Sequence, residues 1–375
     1  MKDDTLVDRL QSLQQAPGPF VSLYMNTEAD SELGPQELAG RWRGLREEAA
    51  SQEAPDKALL LLDDVVEGSH QKGKGLVAFT AADELFFRRF FDEPIPDALQ
   101  AGPLPHLLPL FDWLQDHPAF AVVLIDRTRA EIHVVGGLRD DQTVEVEGDH
   151  DVIRKIQAGG WSQRRFQNRA EDSWERNAEK VAEKLGRVMR GEGLSLAILM
   201  GDVRALTLLK ENAAPDLAPR LHDLDTAPPT EDQLELVRDE IEAAVAALTG
   251  RRVEETLAKF REERGQQDLA AEGTEATLAA LRMSQVDTLL VSTAGNEGSA
   301  WFSRSDLTQG AFHKSALEEI GIDDIEQARA DDVLIRMALG TGATVCVIPE
   351  LSDEHGPAEG VGAILRFKTE TEATA

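Results

Sequence analysis

Between Val152 and Ala170 the chain carries Arg154, Lys155, Arg164, Arg165 and Arg169 and no acidic side chain, in a protein whose formal net charge is −30. At its centre Gly159 and Gly160 free the backbone for φ > 0 or for close approach to another molecule. Trp161 and Gln163 follow directly. Arginines with a flat aromatic ring suit anionic, base-bearing partners: guanidinium forks grip phosphates and indole stacks on a base, worth about 1–3 kcal/mol. Arg164 and Arg165 are adjacent and cannot share one helix face, which suits contacts to two phosphates. The competing reading is an ordinary loop, with the arginines paired to Glu171, Asp172 and Glu175. An RNA-contacting tip explains the absence of acids across the whole stretch, and that is the reading we carry forward.

Other residues with chemical potential read as structural. Asp126 and Asp202 fall at strand ends and invite a metal-dependent nuclease, but such sites need three or four converging carboxylates. Asp126 is more simply a turn former and Asp202 a helix N-cap. The eight histidines show no metal-ligand spacing, and a single cysteine, Cys346, sits in the apolar run 343–348 as an inert buried thiol. No metal and no cofactor is expected. Gly340-Thr341-Gly342 follows a helical pattern and precedes a strand, the reverse of a phosphate-binding loop, and reads as a helix C-cap.

The elements that must position the basic stretch are legible from periodicity. Runs at 121–125, 131–135 and 143–146 read as strands, with a turn at 126–129. A helix over about 170–190 carries Trp174, Ala178, Val181, Leu185 and Val188 at spacings of four and three. Its Arg176, Lys180, Lys184 and Arg187 lie beside Glu175, Glu179 and Glu183, so it reads as a solvated, ion-paired face. A strand at 196–200 and a helix from Val203 complete an α/β pattern. Upstream, 20–25 reads as a strand, 36–51 and 55–67 as amphipathic helices, and 75–80 with 84–90 as a hairpin. Downstream, a long helix runs from 231 to about 263, with Gly250 as its weak point. Helices at 275–283 and 325–339 then alternate with strands at 288–292, 343–348 and 363–367.

An excess of 69 acidic over 39 basic residues disfavours general nucleic-acid or membrane binding by the surface at large. It leaves room for a local basic site, because physiological salt screens fields within about 8 Å. The polar N-terminus and the lack of a long apolar run predict a cytoplasmic protein with no membrane partner.

Gly159-Gly160-Trp161-Ser162-Gln163-Arg164-Arg165-Phe166 resembles the Gly-Gly-Gln-Ser-x-x-Arg-Phe loop of the archaeal and eukaryotic type of class-I peptide chain release factor. Further similarity lies in Val-Ser-Leu-Tyr at 21–24, Lys-Gly-Leu-Val-Ala-Phe at 74–79, Leu-Met-Gly-Asp at 199–202 and Glu-Gly-Val-Gly-Ala-Ile-Leu-Arg-Phe at 359–367. The resemblance implies an α/β protein of three domains. They are an N-terminal domain (1–116), a ribonuclease-H-like central domain with the projecting Gly-Gly loop (117–230), and a C-terminal α/β/α ribosomal-protein-like domain (264–369). A linker helix (231–263) joins the last two, and a disordered tail (370–375) ends the chain.

In that family the loop reaches the peptidyl-transferase centre and promotes peptidyl-tRNA hydrolysis, backbone amides and the glutamine placing a water against the ester. Two departures matter. Trp161 stands at the glutamine position, with one donor and no acceptor. No Asn-Ile-Lys-Ser decoding loop occurs between Tyr24 and Lys74. The resemblance therefore implies a ribosomal A-site binder, similar to Balon-type hibernation factors, with rRNA as partner and elongation factor Tu as the candidate delivery protein. DNA is not an expected partner. RNA-binding residues would be Arg154, Lys155, Gly159, Gly160, Trp161, Arg164, Arg165 and Arg169. Two alternatives stay open: a codon-independent peptidyl-tRNA hydrolase using Gly159, Gly160 and Gln163, and a non-ribosomal adaptor.

Overall fold

The computed structural model describes residues 6–28, 34–70, 72–126, 129–136, 142–147, 161–224, 237–266, 268–296, 298–351 and 355–367, with backbone alone at 6–9, 142–147 and 161–174. The chain forms two compact units, one from 1–115 with 251–375 and one from 116–250. Both are mixed α/β.

In the first segment the order is α1 (Leu6–Gln15), β1 (Phe20–Asn26), α2 (Gly34–Ser51), α3 (Asp56–Glu67), β2 (Gly75–Ala81), β3 (Glu84–Phe91), β4 (Ala98–Gly102) and α4 (Leu108–Asp116). The strands form an antiparallel sheet in the order β3-β2-β1-β4. Alternate residues Val21, Leu23 and Met25 of β1 and Leu76 and Ala78 of β2 meet Leu38, Trp42, Leu45, Leu59 and Leu62 of the two long helices. That is the period-two face of a strand meeting the apolar stripe of a helix. The elements α1, β4 and α4 were not expected from the sequence: each is short, and α4 lies beside the prolines at 103, 105 and 109.

The second unit contains β5 (Phe120–Ile125), β6 (Arg129–Val135), β7 (Gln142–Glu147), α5 (Trp161–Gly191), β8 (Ala197–Gly201), α6 (Val203–Glu211) and β9 (Leu221–Asp223), and the start of α7 (Arg238–Gln266). Its five strands lie in the order β7-β6-β5-β8-β9. β5, β6 and β7 pair antiparallel, whereas β5, β8 and β9 pair parallel. The central strands are buried on both faces. Ala121, Val123, Ile125, Ala197 and Leu199 pack on Val181, Leu185, Met189, Ala205 and Leu209 of α5 and α6. Val122, Leu124, Ile198 and Met200 pack on Ile241 and Val245 of α7. Helices covering both faces are what parallel pairing requires, since its crossover connections run over the sheet.

The last segment adds β10 (Ala270–Glu272), α8 (Thr274–Arg282), β11 (Val286–Ser292), β12 (Ser299–Ser303), β13 (Gly310–Ala311), α9 (Ser315–Glu318), β14 (Ile325–Arg329), α10 (Ala330–Thr341), β15 (Thr344–Ile348) and β16 (Val361–Leu365). One sheet runs β10-β16-β11-β15 and another β13-β12-β14. Leu257 and Phe260 of α7 pack on Leu290, Cys346, Ile348 and Ile364 of the first sheet. Gly362 is needed there, since a Cβ would stand 2.9 Å from the Phe260 ring and 2.8 Å from Pro357. Gly342 caps α10 in the left-handed conformation (φ 66°), as its position after the helical pattern predicts.

One expectation fails in this segment. The stretch 325–339 is not a single helix: Ile325–Arg329 pairs antiparallel with β12, and the helix begins only at Ala330. The apolar spacing from Ile325 into α10 imitates a helical period, but the ladder to Ser299–Ser303 is a tertiary pairing that a local pattern does not report.

Candidate functional site

The basic stretch connects the edge strand β7 to the head of α5. Arg154, Lys155, Gly159 and Gly160 lie outside the described residues. Trp161, Gln163, Arg164, Arg165 and Arg169 occupy the first turns of α5, which begins at Trp161, about nine residues earlier than periodicity suggested. The reason is compositional. From Trp161 to Leu185 the chain has no proline or glycine, and glutamine, arginine, alanine and glutamate propagate a helix well. At about 100° per residue, Arg165 and Arg169 stand one turn apart along the same side of the helix axis, with Arg164 about 100° round from Arg165.

What fixes this helix is its second half. Val181, Ala182, Leu185 and Met189 are buried against the central sheet, and Ala178 is buried three residues before them, at the spacings of three and four that bring Ala178, Val181, Leu185 and Met189 to one face. The stretch from Trp161 to Arg176 precedes the first of these anchors and spans about 24 Å at the helical rise. The exposed face of the anchored half is ion-paired, as expected: Arg187 meets Glu183 at 3.3 Å and Arg190 meets Asp216 at 3.5 Å.

The two aspartates at the sheet's end are structural. Asp126 accepts the Arg129 amide at 2.8 Å and so closes the β5–β6 turn. Asp202 caps α6, its carboxylate accepting from the amides of Arg204 and Ala205 at 3.0 and 3.2 Å. Cys346 is buried, and burial pushes its thiol up to about 11, against nucleophilic use.

A second polar centre, in the first unit, escaped the sequence reading. Among the described residues one set of His and carboxylate donors converges, His106 with Asp331 and Asp332. His106 Nδ1 lies 2.8 Å from Asp332 Oδ1. Both Asp331 oxygens accept from Arg329, at 3.1 and 2.8 Å, and Oδ1 also accepts the Asp332 amide. His106 is held by its backbone: its N–H donates to Ser22 Oγ at 2.9 Å, and its carbonyl accepts from the Tyr24 hydroxyl at 2.6 Å. Burial raises the Asp332 carboxyl to about 6, while His106 is raised despite burial because Asp332 stabilises its charged form. Two anions are thus matched by two cationic partners whose bonds are already made. The arrangement works as a tether and leaves a cation little to add.

The same two segments are joined by buried Arg336, whose guanidinium donates to the carbonyls of Gln14, Ser303 and Arg304. Gln115 completes the seam by exchanging two hydrogen bonds with the Val347 backbone at the edge of β15. These partners stand more than 200 positions apart in sequence for His106, Gln115 and Gln14, so no local spacing signals them.

Residues 119–266 match the family model described as bacterial archaeo-eukaryotic release factor family 2. This segment, which holds the central sheet, α5 and α7, is similar to that family. Over 372 residues it is 28% identical to the uncharacterized Mycobacterium tuberculosis proteins MT2704 (strain CDC 1551 / Oshkosh) and Rv2629 (strain ATCC 25618 / H37Rv), covering 96% of this chain and 96% of each relative. Solved structures with some likeness include the archaeal translation termination factor aRF1 (19% identity, 96% and 97% of the two chains, TM-score 0.26). Another is Saccharomyces cerevisiae Dom34, described as a translation termination-like factor (12%, 81% and 78%, TM-score 0.41). Among the described residues no helix is long and apolar enough to cross a membrane.

Proposed function

We propose that this protein binds the ribosome as a release-factor-like occupant of the A site, its segment 157–169 directed at the peptidyl-transferase centre, and that it protects idle ribosomes. The observation that carries this reading is the release-factor family match over 119–266, which brackets Gly159-Gly160-Trp161 and the arginines that follow at the head of α5. The sheet order of the central unit, with β6 alone antiparallel to the rest, supports reading it as the ribonuclease-H-like domain of such factors. In this account 1–116 and 264–369 are the flanking domains, and α7 lies in the linker.

Chemistry argues for occupancy over hydrolysis. Loss of one positioned donor costs about 10²–10³ in rate, and an indole at position 161 supplies neither the carboxamide's acceptor nor its size. The residues that would meet rRNA are Arg154, Lys155, Gly159, Gly160, Trp161, Arg164, Arg165 and Arg169, with elongation factor Tu as the proposed carrier. Peptidyl-tRNA hydrolysis on purified ribosomes, measured for the wild type and Gly160→Ala, tests the assignment. We expect no turnover from either. Turnover that Gly160→Ala abolishes would make the protein a codon-independent rescue hydrolase. The contact itself is tested by co-sedimentation with 70S particles, which Arg164→Ala with Arg165→Ala is expected to abolish. Unchanged sedimentation would remove the phosphate contacts from the account.

A further inference from the structure

The first unit carries another cationic, aromatic surface, on strand β3. This is an outer strand of its sheet, so one row of its backbone groups faces no partner strand in that sheet. Its sequence, Glu-Leu-Phe-Phe-Arg-Arg-Phe-Phe, interleaves aromatic and guanidinium groups. Pairing with β2 slips between Phe79 and Thr80. Phe79 faces Phe87 and Thr80 faces Leu85, which leaves Phe86 as the extra residue of a β-bulge. Phe86 is 40% exposed and Leu85 36%, among the few large apolar side chains on this chain's described surface.

Two cations meet the Phe90 ring at one end of this edge. Arg88 stands 5.7 Å from the Phe90 ring centre and Lys72 stands 5.5 Å from it. Beyond those ring contacts, the side chains of Lys72, Lys74 and Arg88 have no hydrogen-bond or ion-pair partner among the described residues. The chain carries 69 acidic groups against 39 basic ones, and nearby Lys57 is paired to Asp83 at 2.7 Å. Arg88 lies two residues from the Phe86 bulge, whereas Lys72 and Lys74 lie at the Phe90 and Phe91 end of the same strand, so the cations and the exposed ring are spread along one edge.

We propose that the β3 edge binds single-stranded RNA along its length, with a base stacked on Phe86, Arg88 two residues on, and Lys72 and Lys74 toward the Phe90 end. An exposed ring stacks on any base, and flanking cations follow the phosphates without reading sequence. Cation–π contacts hold Lys72 and Arg88 close to the aromatic edge. A β-strand from another protein fits less well, because a bulge and projecting cations are devices that blunt strand addition. The inference stands on β3 alone and is separate from the role proposed for residues 152–170.

Fluorescence anisotropy of a labelled twelve-nucleotide oligouridine tests it, using the full-length chain with Arg164→Ala, Arg165→Ala and Arg169→Ala present throughout, so that the central arginines do not contribute. We expect binding that Phe86→Ala weakens by about 5- to 150-fold, the worth of one base–aromatic stack. Arg88→Gln should lower the slope of log affinity against log salt by about 0.7, one phosphate contact. Both side chains are exposed, and an unchanged thermal melt by circular dichroism confirms folding of each variant. Equal affinity for parent and both variants, or an absence of binding, overturns the proposal. So does equal binding to duplex RNA, or a Phe86-dependent dimer in sedimentation equilibrium without RNA affinity.

Discussion

The His106–Asp332 tether makes the stability of the first unit depend on pH in a direction that can be worked out. Burial raises the Asp332 carboxyl from 3.8 to about 6, and its side chain is 4% exposed, so solvent screening takes little away. The folded state therefore holds a proton that the unfolded state has released between those values. A group raised on folding stabilises below its unfolded pKa and loses that contribution as pH rises through the folded one. His106, also raised, acts in the same direction. For Asp332 alone, with 1.36 kcal/mol per pK unit, the contribution at pH 5 exceeds that at pH 8 by about 1.4 kcal/mol. Asp332→Asn removes the carboxylate and with it the cause of the His106 shift.

The assay is urea unfolding of the wild type and Asp332→Asn at pH 5, 6, 7 and 8, comparing differences between the two proteins so that all other carboxylates cancel. Relative to the variant, the wild type should gain about 1.4 kcal/mol on going from pH 8 to pH 5. A difference that does not change with pH, or one that grows toward alkaline pH, would refute the reasoning.

Three further outcomes follow from packing and capping. Leu185→Ala, at a fully buried position between α5 and the central sheet, should cost about 2.7–5 kcal/mol in unfolding free energy, and a cost below about 1 kcal/mol would show that α5 is not anchored there. Asp202→Ala should cost about 0.5–2 kcal/mol through loss of the α6 cap, with Asp202→Asn recovering most of it in the same denaturation assay. Cys346, its thiol raised to about 11, should resist a thiol-reactive disulfide reagent at pH 8 in the native protein and react fully after unfolding.

Much of this fold was legible because its elements are amphipathic and bounded by strong punctuation. The Pro17-Gly18-Pro19 run marks the start of β1, and the apolar stretches at 121–125 and 131–135 alternate between the faces that α5 and α7 cover. Asp126 and Asp202 were correctly placed as turn and cap, since each bonds backbone amides only two or three residues away. What stayed hidden is non-local. β14 carries a helix-like spacing but is fixed by its ladder to β12, and the role of Arg336 depends on carbonyls at Gln14, Ser303 and Arg304 that no local spacing signals. His106 drew no notice because its carboxylate partners lie 225 and 226 positions away. The Gly-Gly-Trp stretch is the reverse case: its charge pattern was visible at once, while the start of α5 at Trp161 depends on helix propensity outlasting a run of arginines with little local apolar pattern.

The central claim is most directly tested by cryo-electron microscopy of ribosomes taken from starved cells that contain the tagged protein. The account predicts density for this chain in the A site, with residues 157–169 reaching the peptidyl-transferase centre and Arg164 and Arg165 against rRNA phosphates. Ribosomes without the protein, or with it bound so that this segment lies away from that centre, would contradict it.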